Sequence, residues 1–401
     1  MINSNSRFLK KILLLLSFSA VTALLSGCWD RWEINDLALV TAAAIDQKGD
    51  DQIELSLQIF IPKAISSGGG QGGSGSGDGL ITLVKTHKGA NMADALSKVQ
   101  AELPRRVFWG QCKIFIFGEE AAKKGIQDHL DFLLRHPEPR ERAYVFVSDG
   151  KAKKILELQS RLERSSAETM RELVELNIGV KTTVQDLNET LTSKAQAAAL
   201  PFIKIATDKK QIDPYHFPKI IGSAIFKEDK MTGFISDKET RGLLWIRDEV
   251  KGYTVTIEPK KKNGQISLSP VTAKVNLTPQ INGPNWIMNI KIETEGTVVQ
   301  NDTDIDLSVT SQLQTVEKAY QEVIKKRLRQ LIDKAQKDLN ADILGFSKEF
   351  HRKYPKNWSK VENNWDNVFP EVKINFVVTA HIRREGYINK PTRIRLEKGN
   401  E

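Results

Sequence analysis

The chain has 401 residues, with 59 lysines and arginines against 50 aspartates and glutamates, for a formal net charge of +9. Hydrophobic residues make up 40% and charged residues 27%, an ordinary globular balance that excludes a disordered, collagenous or wholly membrane-embedded chain. Only two cysteines are present, which excludes a disulfide-stapled scaffold, and the length suffices for several cores without one.

The first residues read as a leader. Arg7, Lys10 and Lys11 precede an apolar stretch from Ile12 to Leu25, and then come Ser26, Gly27 and Cys28. A basic start, a short apolar segment and small residues before a cleavage point are the parts of a secretory signal. The stretch is short against the ~20 residues of a membrane-spanning helix. Leu25-Ser26-Gly27-Cys28 also suits lipid transfer to a thiol at the membrane surface, with cleavage just before it. Residues 1–27 are therefore expected to be a cleaved lipoprotein signal peptide, and Cys28 the lipid attachment site. Each buried methylene of a diacylated cysteine adds about 0.8 kcal/mol, so two acyl chains make the membrane attachment effectively permanent. No later stretch approaches the length of a span, and the remainder is expected to face water.

Beyond Cys28, strands and helices alternate. The runs 37–45, 53–61, 80–85, 112–117 and 143–147 are apolar or alternating and of strand length. Between them Met92, Ala95, Leu96, Val99 and Leu103 recur at helical spacing, as do apolar residues in 126–134, 152–158 and 168–176. The glycine- and serine-rich segment 66–79 lacks a following Gly-Lys-Ser/Thr and leads into a strand, so a surface loop is expected and not a phosphate cradle. Cys112 opens the apolar run Cys112-Lys113-Ile114-Phe115-Ile116-Phe117 and is expected in a core.

The charged run Arg135-His136-Pro137-Glu138-Pro139-Arg140-Glu141-Arg142 is stiffened by two prolines and carries guanidinium forks suited to carboxylates. Arg135, His136, Glu138, Arg140 and Arg142 form the candidate contact surface for a partner or a neighbouring domain. The alternative is a structural loop fixed by local ion pairs. His129, Asp131, His136 and Glu138 come nearest to a metal-ligand set, but Pro137 and Pro139 end the helix there, and a solvated helix end is expected.

Near 207–218 the composition turns charged and proline-rich, which suggests a domain boundary. The apolar runs 220–226 and 242–246 flank the turn Glu228-Asp229-Lys230, and 253–257, 271–277 and 286–292 alternate as half-buried strands. Lys260-Lys261-Lys262 precedes Asn263-Gly264, the signal of a hairpin tip. Val316, Ala319, Tyr320, Val323, Ile324, Leu328, Leu331, Ile332, Ala335 and Leu339 then mark a long amphipathic helix, its polar face holding Lys325 to Arg329. Its apolar stripe is expected on a C-terminal sheet closed by 372–382.

No Gly-x-Ser-x-Gly, His-Glu-x-x-His or Cys-x-x-Cys is present, so no catalytic residue, cofactor or metal is expected. The basic clusters lack interleaved stacking aromatics, and no nucleic acid partner is expected. The fold class read from these elements is α+β, with two to three mixed-sheet domains and packed helices. The expected divisions are a signal peptide at 1–27, an N-terminal α/β domain at 28–206 with its loop at 66–79, a middle β-rich domain at 214–262 and a C-terminal α+β domain at 263–390.

Several segments share a further pattern: Gly27-Cys28-Trp29-Asp30, Glu33 to Ala38 with Ala44-Ile45-Asp46, and Arg135 to Arg142. Glu239-Thr240-Arg241-Gly242 before Leu243-Leu244-Trp245, Ala341 to Phe346, Phe350 to Pro355 with Trp358 and Trp365, and Arg383 to Gly386 continue it. In this order they resemble the Ger(x)C spore germination lipoproteins from Cys28 to about Gly386, with the glycine-rich loop the conspicuous departure. The resemblance implies mixed α+β domains, commonly counted as three, and the C subunit of a nutrient germinant receptor. Such a subunit would be lipid-anchored on the extracytoplasmic face of the spore inner membrane, partnered with membrane-embedded receptor subunits and not an enzyme. The other classes are a lipid-anchored extracytoplasmic solute-binding protein, which needs a cleft between similar lobes, and a wall-degrading enzyme, which needs a carboxylate pair.

Overall fold

The computed structural model describes residues 12–15, 17, 33–61, 81–159, 162–206, 217–250, 253–259 and 264–383. Cys28, the loop at 66–79 and the lysines at 260–262 lie outside the described residues.

The first half runs β1 (Leu37–Lys48), β2 (Gln52–Phe60), β3 (Thr82–Gly89), α1 (Met92–Ala101), β4 (Arg106–Phe108), β5 (Ile114–Gly118), α2 (Glu119–Lys124) and α3 (Gln127–Arg135). It continues through β6 (Tyr144–Ser148), α4 (Ser166–Glu175), α5 (Val184–Thr192), β7 (Ala197–Ile205), β8 (Pro218–Lys227) and β9 (Lys230–Ser236). These strands make one sheet of nine in the order β3-β2-β1-β5-β6-β7-β8-β9, with β4 beside β1. The central neighbours β1, β5, β6 and β7 are parallel and the flanking pairs antiparallel. Parallel strands are covered on both faces, which is why β5 reads as the unbroken apolar run Ile-Phe-Ile-Phe and is wholly buried. Phe115 and Phe117 pack with Val99 of α1 and Leu130 of α3 on one face. Ile114 and Ile116 pack with Met170 and Val174 of α4 on the other. In β1, Ala38 and Val40 share a core with Ala43 and Ile45 despite the change of parity. A bulge between Val40 and Ala42 supplies the extra residue that keeps both pairs on one face.

The second half holds α6 (Asp237–Ile246), β10 (Val255–Ile257), β11 (Ile266–Asn282), β12 (Asn285–Asn301), α7 (Thr310–Asp333), α8 (Phe346–Lys353) and β13 (Lys373–Arg383). Strands β10 to β13 form a second sheet in chain order. β11 and β12, of 17 residues each, form a hairpin turning at Gly283, whose φ of +57° suits glycine. The 24-residue α7 buries Val316, Tyr320, Ile324, Leu328 and Leu331, and the outer face of β13 stays wet in strict alternation. The long helix and the closing strand thus stand where the periodicity put them.

One expectation differs from the structure, and one apolar run takes a form that the sequence reading did not assign. The segment 214–262 does not build a sheet of its own: β8 and β9 extend the first sheet and β10 joins the second. Residues 242–246 are the end of a helix. The run is apolar throughout because α6 is enclosed between the two sheets. Leu243, Leu244, Trp245 and Ile246 share one buried cluster with Ala197, Ala199, Ile225 and Ile235 of the first sheet and Leu268, Ile290 and Leu328 of the second half.

Candidate functional site

The proline-stiffened run after α3 divides into a pinned part and a free part. Arg135 donates its Nε to both oxygens of Asp131, at 2.7 and 2.8 Å, one helical turn back. His136 lies between Phe132 and Trp109, with ring centroids 5.4 and 6.4 Å away. Glu138 accepts from Arg106 Nη2 at 3.1 Å and from the Trp109 backbone N–H at 3.2 Å, which ties the loop to β4. Arg140 and Arg142 are exposed, and their guanidinium groups have no partner among the described residues. Of the five residues singled out, two hold the loop, one is locally paired and two are presented to solvent.

The metal-like set does not converge. His129 is buried, stacks on Phe117 at 6.1 Å and is pushed below the usual histidine range by desolvation. Asp131 belongs to Arg135 and Glu138 to Arg106. Among the described residues no group of three His, Cys, Asp or Glu side chains is placed to hold a metal. Cys112 is buried, as its setting in the sequence suggested, and burial lifts its thiol to about 12, far from the reactive range.

Other motif residues are structural anchors. Asp46, at the end of β1, accepts the backbone N–H groups of Ala152 (2.7 Å) and Lys153 (2.9 Å) at the start of the helical turn Lys153–Leu156. Asp342 accepts from Phe346 N (3.0 Å), Ser347 N (2.7 Å) and Trp365 Nε1 (3.1 Å), which fixes the entry into α8. Trp365 in turn packs on Trp286, Phe350, Trp358 and Phe369. Ser236 and Glu239 form the capping box that starts α6. Arg241 lies 4.5 Å over the Tyr253 ring, and Gly242 allows α6 to meet the backbone of α7, where a Cβ would come 3.2 Å from the Arg327 carbonyl oxygen.

The C-terminal end of α6 adjoins two clefts. Arg247 is the C-cap residue, and its Nη2 donates to the Ile343 carbonyl at 3.3 Å. It separates two clefts. One, of ≈ 460 Å³, is lined by Lys181, Thr183 and Asp186 at the start of α5, with Leu244, Arg247 and Glu249 opposite. The other, of ≈ 570 Å³, includes Ser193, Lys194, Asp342, Ser347, His351 and Trp358. Burial pulls Arg247 below its ordinary range and lifts Glu249 above its own. Both volumes are in the range of small-molecule sites. Nothing local in the sequence marks Arg247 or Glu249. They become neighbours of α5 only through the packing of α6 between the sheets, and the capping box at Ser236 was the one local signal of that helix.

Comparison with known proteins fits this architecture. A family model described as "Spore germination protein N-terminal domain" matches residues 30–205, and one described as "Spore germination B3/GerAC like, C-terminal" matches residues 221–386. Spore germination protein KC of Bacillus subtilis is 28% identical over 400 residues, covering 95% of this chain and 98% of that protein. Spore germination protein B3 of the same organism is 23% identical over 392 residues, covering 91% and 96%. The crystal structure of the GerBC protein superposes with a TM-score of 0.57 at 20% identity, covering 86% of this chain and 97% of that one, which establishes the shared fold. None of these descriptions names an enzyme. With both domains matched in order across most of its length, the chain belongs to the Ger(x)C family of spore germination proteins.

Proposed function

We propose that this protein is the lipid-anchored C subunit of a spore nutrient germinant receptor. It is held through Cys28 on the extracytoplasmic face of the spore inner membrane and docks on membrane-embedded receptor subunits. The observation that carries the reading is membership of the germination family over both domains, joined to the sequence Leu25-Ser26-Gly27-Cys28. Among the described residues no helix is long and apolar enough to cross a membrane, so the lipid supplies the attachment in this reading. The role is non-enzymatic: the globular part positions its faces against the partner subunits. Arg140 and Arg142, on a loop pinned by His136 and Glu138, are the guanidinium pair proposed for that contact. The solute-binding alternative needs two similar lobes, and a nine-stranded mixed sheet facing a four-stranded one argues against it.

The test is germination of spores lacking this gene against a panel of nutrients, with the wild-type and Cys28→Ala genes restored separately. The expected result is loss of response to particular nutrients, rescued by wild type and poorly by Cys28→Ala, which accumulates as an unlipidated precursor. Lipid labelling of Cys28→Ala would overturn the anchor. Normal germination of the deletion strain on every nutrient would overturn the receptor role.

A further inference from the structure

We infer that the junction of α6 and α7 holds a small monovalent anion of the halide class, bound by Trp245 Nε1, Tyr253 Oη, Tyr320 Oη and Arg327 Nη1. All four atoms are sealed from solvent, and none finds a hydrogen-bond partner among the described residues. They are four of the seven such side-chain atoms there, gathered at one place. Tyr320 and Arg327 stand two turns apart on one face of α7, and Gly242 lets α6 approach that face at the Arg327 carbonyl. Trp245, one turn beyond Gly242, meets the Tyr320 ring edge-on with centroids 6.4 Å apart. Tyr253 follows α6 and lies under the Arg241 guanidinium at 4.5 Å. Trp245 and Arg327 are near enough to its hydroxyl to oppose the effect of burial on it, and Tyr320 lies in the field of Tyr253 and Arg327. Yet no two of the four atoms close a hydrogen bond of normal geometry.

A buried donor without a partner forfeits its hydration for no return, and four in one place call for a common acceptor. Their chemistry gives the sign of that acceptor. An indole N–H and a guanidinium can only donate. Burial outweighs the neighbouring cations and lifts both hydroxyls above the ordinary tyrosine range, Tyr253 to about 12, so each keeps a proton to donate. The charge balance points the same way. Asp237 matches Arg241 at 3.0 Å, whereas Arg327 closes no ion pair among the described residues. A water molecule would accept from two of these donors, find few acceptors for its own hydrogens and leave the guanidinium charge unmatched. A cation would be repelled by Arg327. A halide accepts from every side and neutralises the charge. The enclosure is tight, since even a Cβ at Gly296 of β12 would lie 3.5 Å from the Tyr320 hydroxyl, and this favours a monatomic ion over sulfate or phosphate.

An ion at this point bridges α6, the segment leading into β10, and α7. Trp245 and Tyr320 belong to the buried cluster that draws on both sheets. The anion therefore fastens the core that the two halves share, and their union responds to the halide content of the surrounding solution. The claim is argued from these four side chains alone and stands apart from the proposed receptor role.

The experiment is thermal unfolding of the purified full-length chain in detergent, titrated with sodium chloride or sodium bromide against sodium gluconate at constant ionic strength. A bromide-soaked crystal read by anomalous scattering locates the ion. The expected result is a saturable rise in Tm with chloride and bromide and none with gluconate, as binding to the folded state alone requires. An anomalous peak is expected within hydrogen-bond reach of the four atoms. Tyr253→Phe and Arg327→Gln should each raise the half-saturating chloride concentration by about 10-fold or more, as loss of a hydrogen bond to a charged group does. Lys326→Gln, at an exposed position of the same helix, should leave it unchanged and so separates the site from general screening of surface charge. Equal Tm values in chloride and gluconate, a response unaltered in both site variants, or no bromide peak among the four atoms would each overturn the site. The bromide peak is read in the wild-type protein, so the site stays open to refutation even where a variant fails to fold.

Discussion

At the scale of single residues, Asp46, Glu138, Glu239 and Asp342 of the family-like segments turn out to be internal fasteners. Asp342 is 4% exposed and receives three N–H donors, two from the first turn of α8 and one from Trp365. Removing it orphans all three, and Asp342→Ala is expected to cost about 3–5 kcal/mol in urea unfolding. Its titration has a definite sign. Burial lifts the carboxyl above its ordinary range, and the N–H groups of Ser347 and Phe346 pull it back only in part. The native state therefore holds this proton more tightly than the unfolded chain, whose carboxyl titrates near ~4. The corresponding stability is fully present below that value and is lost as pH rises through the native one. The stability of wild type relative to Asp342→Asn should decline from about pH 4 toward neutrality, and a difference that grows with pH would contradict the assignment. An Asp in Ala341-Asp342-Ile343 does not announce this in one dimension. Its neighbours are apolar, but the donors come from four, five and twenty-three residues away. In the surface run 135–142 the prolines and alternating charges were visible in the sequence, and only contact with Trp109 and Arg106 separates its pinned members from those presented to solvent.

At the scale of elements, legibility followed how many faces each one buries. The stripe of α7 was readable because one face packs on a sheet and the other is wet, and β5 was readable because a parallel central strand is apolar throughout. The end of α6 failed by the same logic, since Leu243 to Ile246 are buried on every side and carry no period. The helices α5 and α6 both begin with capping boxes, at Thr183 and Ser236, and those were the cues for elements that periodicity missed. The contact of α6 with α7 depends on Gly242. A Cβ there lies 3.2 Å from the Arg327 carbonyl oxygen and 3.4 Å from Leu331 Cβ, a small conflict that the helical preference of alanine over glycine, about 1 kcal/mol, can offset. Gly242→Ala should thus stay within about 1 kcal/mol of wild type, whereas Gly242→Leu drives three more carbons into α7 and should cost about 1–3 kcal/mol or more. Equal urea midpoints for Gly242→Leu and wild type would show that the two helices do not meet in this way.

At the scale of the molecule, the chain has a real seam in sequence that is not a seam in structure. Composition breaks at 207–218, and the two family models stop at 205 and resume at 221. Yet β7 and β8, on either side of that seam, pair antiparallel from Ala197–Lys227 to Ile205–Pro218, and β7 is buried over its first seven residues. Charged and proline-rich composition says nothing of whether the strands on either side of it pair. The buried cluster enclosing α6 draws on both sheets, so neither half can be removed without exposing the apolar side of the other. A fragment ending at residue 206 should therefore fail to give a soluble, folded product, since it presents the edge of β7 unpaired along with the Ala197 and Ala199 side chains that belong under α6. The intact chain should unfold in one calorimetric transition coincident with loss of its circular dichroism, because the helix joining the halves is the centre of their common core. A well-folded fragment ending at 206, or two separated transitions in the whole protein, would mean that the halves hold themselves together and merely touch at α6.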